Sequence, residues 1–264
     1  MLPQFEELGY QKTPLGELSL RRRRHPTLHR EVYEVKLGEE YLMSSLYTDS
    51  ERALGEKGVE AVLRGRRAGP EASLESLCEH IPRRDPDTGS GGLDIVVGGL
   101  GLGYTAEAVL QFAEVGSLLV VELFEAVIDW HRQGIVPVGR TVSADSRCRL
   151  VQEDFFACAR SSEGFDPDSP GRTFDAVLVD IDHTPDTLLD PGNATLYTPS
   201  GLLGVSGHLR PGGVFGVWSD DPPHEPFRRR LADAFGSAAA CPVTFDVFDQ
   251  KRTYTQCVYL ARKA

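Results

Sequence analysis

Gly99, Gly101 and Gly103 lie in the run VVGGLGLGYT, between an apolar stretch and a helical pattern. Glycines at this spacing let the backbone turn sharply and admit a ligand against the main chain. The helix start that follows offers free N–H groups and a positive dipole end. Glu122 ends the next apolar run, nineteen residues after Gly103. An acid there can accept hydrogen bonds from both hydroxyls of an adenosine ribose. Asp154 follows the third apolar run, in QEDFF. Its carboxylate can take the exocyclic amino proton of adenine, with Phe155 or Phe156 beside the ring. Three such groups after successive strands point to adenosine binding at one edge of a sheet.

Asp180 ends the fourth run, in VDIDHTP, and faces the same crevice. A primary amine, with a pKa of roughly 10, must lose a proton before it attacks an electrophile. A carboxylate at Asp180 can orient the ammonium and accept that proton. His183 is a candidate second base because imidazole titrates near neutrality. Asp182, Tyr47 and Tyr197 are candidate pocket residues, set against a capping aspartate and packed aromatics. Asp220 and Asp221 could join Asp180 around Mg²⁺. With Pro222 and Pro223 next in the chain, a capped turn is the preferred reading and no metal site is assigned.

These residues need elements to hold them. From Leu93 onward, buried runs (LDIVV, SLLVVE, CRLVQ, FDAVLVD, GGVFGVW) alternate with helical stripes, the pattern of a parallel α/β sheet covered on both faces. Ala106, Val109, Leu110 and Ala113 form one stripe, and Phe124, Val127, Ile128 and His131 another. CPVTFDVF and YTQCVYLA, joined by the polar turn DQKRT, read as a closing antiparallel pair. Residues 1–49 differ: GELSL, EVYEVKL and EYLMS are short alternating runs that predict a β-hairpin unit. A helix is expected over about Asp49–Arg64 and a second over about Glu71–His80, followed by the loop RRDPDTGSGG. The chain therefore divides into a hairpin unit, 1–49, and an α/β domain, 50–264.

The 264 residues carry a formal charge of −11, which argues against a nucleic-acid partner and a polybasic membrane binder. Arg21–Arg24 alternate between the two faces of a strand, so they predict a solvated face or a subunit contact. Met1–Tyr10 lack the basic-then-apolar pattern of a signal peptide and no apolar run is long enough to span a bilayer, so a cytoplasmic location with no membrane contact is expected. Five scattered cysteines without a CxxC pair predict reduced, packed thiols.

Taken in order, these segments resemble the spermidine synthase (polyamine aminopropyltransferase) branch of the S-adenosylmethionine-dependent methyltransferase fold, over nearly the whole chain. VVGGLGLGYTAEAVL resembles the family's nucleoside loop, VVELFEAVIDWHR its ribose segment, RLVQEDFFACA its adenine segment and FDAVLVDID its catalytic strand. LYTPSGL resembles the short helix after its gate-keeping loop, LRPGGVFGVW the entry to strand five, and the early strands its N-terminal hairpins. The resemblance implies a doubly wound, Rossmann-like α/β fold of class I methyltransferase type, with a mostly parallel seven-stranded sheet. It implies that Gly99, Gly101, Gly103, Glu122 and Asp154 bind the nucleoside and that Asp180 is the catalytic aspartate. A homodimer through the hairpins follows by analogy alone.

The chain departs from that pattern at three positions. Leu102 stands where the family holds an aspartate for the aminopropyl amine, His183 where DxxD has its second aspartate, and Met43 where a glutamine closes the hairpin. On these departures the sequence reading favours methyl transfer from S-adenosylmethionine to a small acceptor, an amine among the candidates. Polyamine aminopropyl transfer from decarboxylated S-adenosylmethionine is the alternative, and a non-catalytic adenosyl-binding protein a second. An NAD-dependent oxidoreductase fits less well, given the GxGxG spacing and Asp154.

Overall fold

The computed structural model describes residues 5–69, 71–79, 92–248 and 252–264. Four antiparallel strands open the chain: β1 (Phe5–Thr13), β2 (Gly16–Arg24), β3 (Glu31–Leu37) and β4 (Glu40–Ser44), paired in that order. The three expected runs are strands two to four. The additional β1, FEELGYQKT, has too few apolar residues to signal itself. Alternation buries Leu18 and Leu20 of β2 and Val35 and Leu37 of β3. Two of the four successive arginines meet acids: Arg22 binds Glu6 at 2.5 Å, on β1, and Arg23 binds Glu34 at 2.7 Å, on β3.

Helices α1 (Asp49–Ala68) and α2 (Ser76–Glu79) follow. The second is shorter than its expected span. Residues 80–91, which take in His80 and nearly all of RRDPDTGSGG, lie outside the described residues, as do 249–251 of the DQKRT turn.

The α/β part then runs β5 (Leu93–Gly98), α3 (Tyr104–Leu110), β6 (Val115–Glu122), α4 (Glu125–Gln133), α5 (Gly139–Ser143), β7 (Cys148–Gln152), α6 (Phe155–Arg160) and β8 (Phe174–Val179). A 3-10 turn (Pro191–Thr195) leads to α7 (Pro199–Gly207), β9 (Leu209–Ser219), α8 (Glu225–Phe235), β10 (Gly236–Val247) and β11 (Arg252–Lys263). The strands form one seven-stranded sheet in the order β10-β11-β9-β8-β5-β6-β7. β5 to β9 are parallel, and β10 and β11 close the edge antiparallel.

The inner parallel strands β5, β6, β8 and β9 are buried on both faces over most of their length, which accounts for their apolar runs, whereas the edge strand β7 is only partly covered. Val97, Leu178 and Val258 point to the side covered by α1 and α3. Val96, Val177 and Phe215 point to the other, where Phe155, Phe165 and Phe227 pack. At the amino ends of the strands, Asp94 and Asp175 are held by Arg172, Arg210 and Arg66. The carboxyl ends are left to the site.

The cysteine expectation is corrected. Cys78 of α2 and Cys241 of β10 form a disulfide across 163 residues, with Cα atoms 4.4 Å apart. Their distance in sequence hides a pairing that only the folded sheet edge creates. Cys148, Cys158 and Cys257 are free thiols.

Candidate active site

Chain order reverses direction beside β5, whose neighbours are β6 on one side and β8 on the other. In an open α/β sheet this switch point leaves a crevice at the strands' carboxyl ends. The Asp180 amide donates to the Gly98 carbonyl at 2.9 Å, so the exits of β8 and β5 touch. Gly99 has φ +88°, and a Cβ there would collide with the Asp180 carbonyl. Glycine is therefore required twice over, by conformation and by space.

A cavity of about 830 Å³ opens above this junction, lined on its other side by the hairpin sheet. Its size is that of a small-molecule site. Gly99, Gly101, Glu122, Asp154, Phe155 and Phe156 line one half. Glu122 is buried and ties two loops together, its Oε2 accepting from the Leu100 amide at 2.9 Å and its Oε1 from the Phe124 amide at 2.8 Å. The Gly101 and Leu123 amides also act on this carboxylate, so four main-chain donors hold it at the cavity wall. Burial pushes the Glu122 pKa up, against the main-chain donors that pull it down. Asp154 caps α6, its Oδ1 accepting from the Phe156 and Ala157 amides at 2.8 and 3.1 Å. Beneath it, Phe155 stacks on Phe165 with ring centroids 4.9 Å apart.

The glycine loop has a support that the sequence reading assigned to the core stripe. His131 Nε2 lies 2.9 Å from the Gly101 carbonyl. Burial drives this imidazole down to about 4, so it is neutral and can donate from Nε2. Gly103 lies outside the cavity lining, contrary to its expected cofactor contact. It is the left-handed N-cap of α3 and packs against the His131 ring.

Asp180 lines the other half. Its Oδ2 accepts from the Thr105 hydroxyl at 2.6 Å, and burial raises its pKa despite that bond. Glu51, on the first turn of α1, lines the same space, is 9% exposed, and is raised by burial and by the nearby Asp180 charge. Sequence reading passed over Glu51, although it lies three residues before Leu54 on the buried stripe of α1. His183 reaches the cavity with Nε2 3.6 Å from Glu40. Tyr47 also lines it, stacked on Phe245 at 5.4 Å.

The pocket role expected of Asp182 and Tyr197 is corrected. Both are buried outside the cavity lining, where Asp182 accepts from Tyr197 Oη at 2.9 Å, Asn193 Nδ2 at 2.8 Å and the Leu189 amide at 2.9 Å. They anchor the segment after β8. Asp220 accepts from Gln256 at 2.7 Å and Tyr254 at 3.3 Å. Among the described residues no three acids, histidines or cysteines gather as a metal site. Trp218 Nε1 lies buried at the cavity wall without a partner among them. No helix among them is long and apolar enough to cross a membrane.

No family model matches the chain. Polyamine aminopropyltransferase 2 of Pseudomonas aeruginosa is 30% identical over 162 residues, covering 59% of this chain and 43% of that protein. The chain thus matches less than half the length of this relative. A spermidine synthase structure in complex with the transition-state analogue AdoDATO superposes with a TM-score of 0.67 at 14% identity, covering 98% of this chain and 74% of that one. Spermidine synthase from Thermotoga maritima gives 0.64 at 14% identity, covering 98% and 72%. At such identity these two likenesses show the fold.

Proposed function

We propose that this chain, a spermidine synthase-like member of the class I methyltransferase-like fold, is an aminopropyltransferase that uses decarboxylated S-adenosylmethionine and an amine acceptor. The observation that carries the reading is Asp180 at the carboxyl end of β8, in one cavity with Gly99, Glu122 and Asp154. The aminopropyltransferase relative supports aminopropyl transfer over the methyl transfer favoured from sequence.

The residues present suit an adenosyl donor. Gly99 and Gly101 bring bare main chain to the cavity wall, Glu122 sets a carboxylate at the wall where ribose hydroxyls would lie, and Asp154 with Phe155 and Phe156 suits the adenine. When bound, the donor supplies a sulfonium-activated carbon that takes the acceptor nitrogen as the C–S bonding pair returns to sulfur, giving methylthioadenosine. Asp180 orients the acceptor nitrogen and takes its proton. Thr105 holds Oδ2 and leaves Oδ1 to the acceptor. His183, at the cavity wall, is a route for that proton to solvent. Leu18, Val35 and Leu37 of the hairpin sheet give the cavity an apolar wall opposite the strand ends.

One observation favours a second donor. Position 102 is a leucine, buried with its amide donating to Met43 Sδ at 2.8 Å, and carries no acid that would repel a donor carboxylate. S-adenosylmethionine itself is the second reading. Thermal shifts with the decarboxylated donor, S-adenosylmethionine and NAD test both, because ligands stabilise by mass action. The largest shift is expected from the decarboxylated donor; a shift from NAD alone would overturn the adenosyl-transferase reading.

A further inference from the structure

The acid beside Asp180 comes from an unexpected element. The residue three after Asp180 is His183, and Asp182 is consumed by Leu189, Asn193 and Tyr197. Glu51 of α1 instead lines the same cavity as Asp180, near enough for the two charges to interact. Its position is fixed by close helix packing, because a Cβ on Gly55 would stand 2.7 Å from the Thr105 carbonyl and 2.8 Å from Ala108 Cβ. Thr105 Oγ1 ties the two residues together, 2.6 Å from Asp180 Oδ2 and 3.1 Å from the Glu51 carbonyl. Ser50 orients the side chain by donating to Glu51 Oε2 at 2.9 Å.

No cation balances this pair among the described residues. The adjacent Arg52 points away, to Glu107 at 2.6 Å and over the Tyr104 ring at 4.9 Å. Two enclosed carboxyl groups without a counter-ion are costly, and both pKa values are pushed up accordingly. A shared proton relieves the cost in the free protein. A ligand ammonium, with three donors and a positive charge, relieves it better.

We propose that Glu51 and Asp180 jointly seat the primary ammonium of the acceptor, Glu51 acting as the residue that selects a cationic amine over a neutral nucleophile. This deepens the aminopropyltransferase reading and rests on it for the chemistry. A divalent cation is a poorer occupant, since only two acids converge and no third ligand joins them among the described residues.

The test is calorimetric titration of 1,4-diaminobutane and of n-butylamine into the full chain, with and without methylthioadenosine, for wild type, Glu51→Gln and Ser50→Ala. Glu51→Gln should weaken amine binding roughly tenfold or more, the worth of a hydrogen bond to a charged group. Methylthioadenosine affinity should not change. Ser50→Ala should weaken amine binding less, and decides the matter should Glu51→Gln fail to fold. Unchanged amine affinity in the variants, no amine binding by wild type, or displacement of the amine by Mg²⁺ would each overturn the proposal. Loss of methylthioadenosine binding by wild type would instead sink the aminopropyltransferase reading, while the titrations without nucleoside still decide the role of Glu51.

Discussion

Thr105 donates its hydroxyl to Asp180 Oδ2 at 2.6 Å, joining the first turn of α3 to the exit of β8. A hydrogen bond to the ionised carboxylate favours the charged form, whereas burial opposes it. The net shift is upward, so kcat/KM should rise with pH through a midpoint above the ordinary carboxylate range. Thr105→Val removes the opposing bond and should move that midpoint higher still. A pH–rate profile of the two proteins checks the direction.

The same physics gives Glu51 a stability signature. Its folded pKa lies above its unfolded value, so its contribution is fully present below the unfolded pKa and is lost as pH rises through the folded one. Glu51→Gln should therefore raise Tm at mildly alkaline pH, and this advantage should vanish at acid pH. Thermal denaturation at both ends of that range reads it directly.

Gly99→Ala places a Cβ against the Asp180 carbonyl at a φ of +88°. The strain should cost about 1–3 kcal/mol or more of folding stability, and donor binding should weaken with it. Urea denaturation with and without methylthioadenosine separates the two effects.

His131 supports the loop without touching the cavity. His131→Ala removes the Nε2 contact to the Gly101 carbonyl, and nucleoside affinity should fall by up to roughly tenfold, the worth of one hydrogen bond. Because burial lowers this imidazole to about 4, its contribution is present above the unfolded pKa and is lost as pH falls through 4. Wild type should lose thermal stability progressively over that descent, and His131→Ala should show a flatter profile of Tm against pH.

Much of the glycine-loop half of the cavity was legible in the sequence, because strand, glycine run, helix and strand-ending acid follow one another in register. The parallel runs announced themselves for the same reason, being buried on both faces. The half around Asp180 was harder. Asp182 and Asp180 look alike along the chain, and only folding shows that the former is spent on Tyr197 while the latter faces the cavity. Glu51 lies 129 residues before Asp180, on a helix whose first turn favours acids in any case, so its partnership is a tertiary fact. The Cys78–Cys241 disulfide was hidden in the same way.

Product analysis is the most direct measurement of the central claim. Wild type and Asp180→Asn are incubated with decarboxylated S-adenosylmethionine or S-adenosylmethionine, plus 1,4-diaminobutane, and the products are read by mass spectrometry. Aminopropylated amine and methylthioadenosine should form from the decarboxylated donor. Asp180→Asn should lower the rate by roughly 10²–10⁴-fold, the usual worth of a positioned base. Methylated amine formed from S-adenosylmethionine, or an Asp180→Asn rate equal to wild type, would contradict the account.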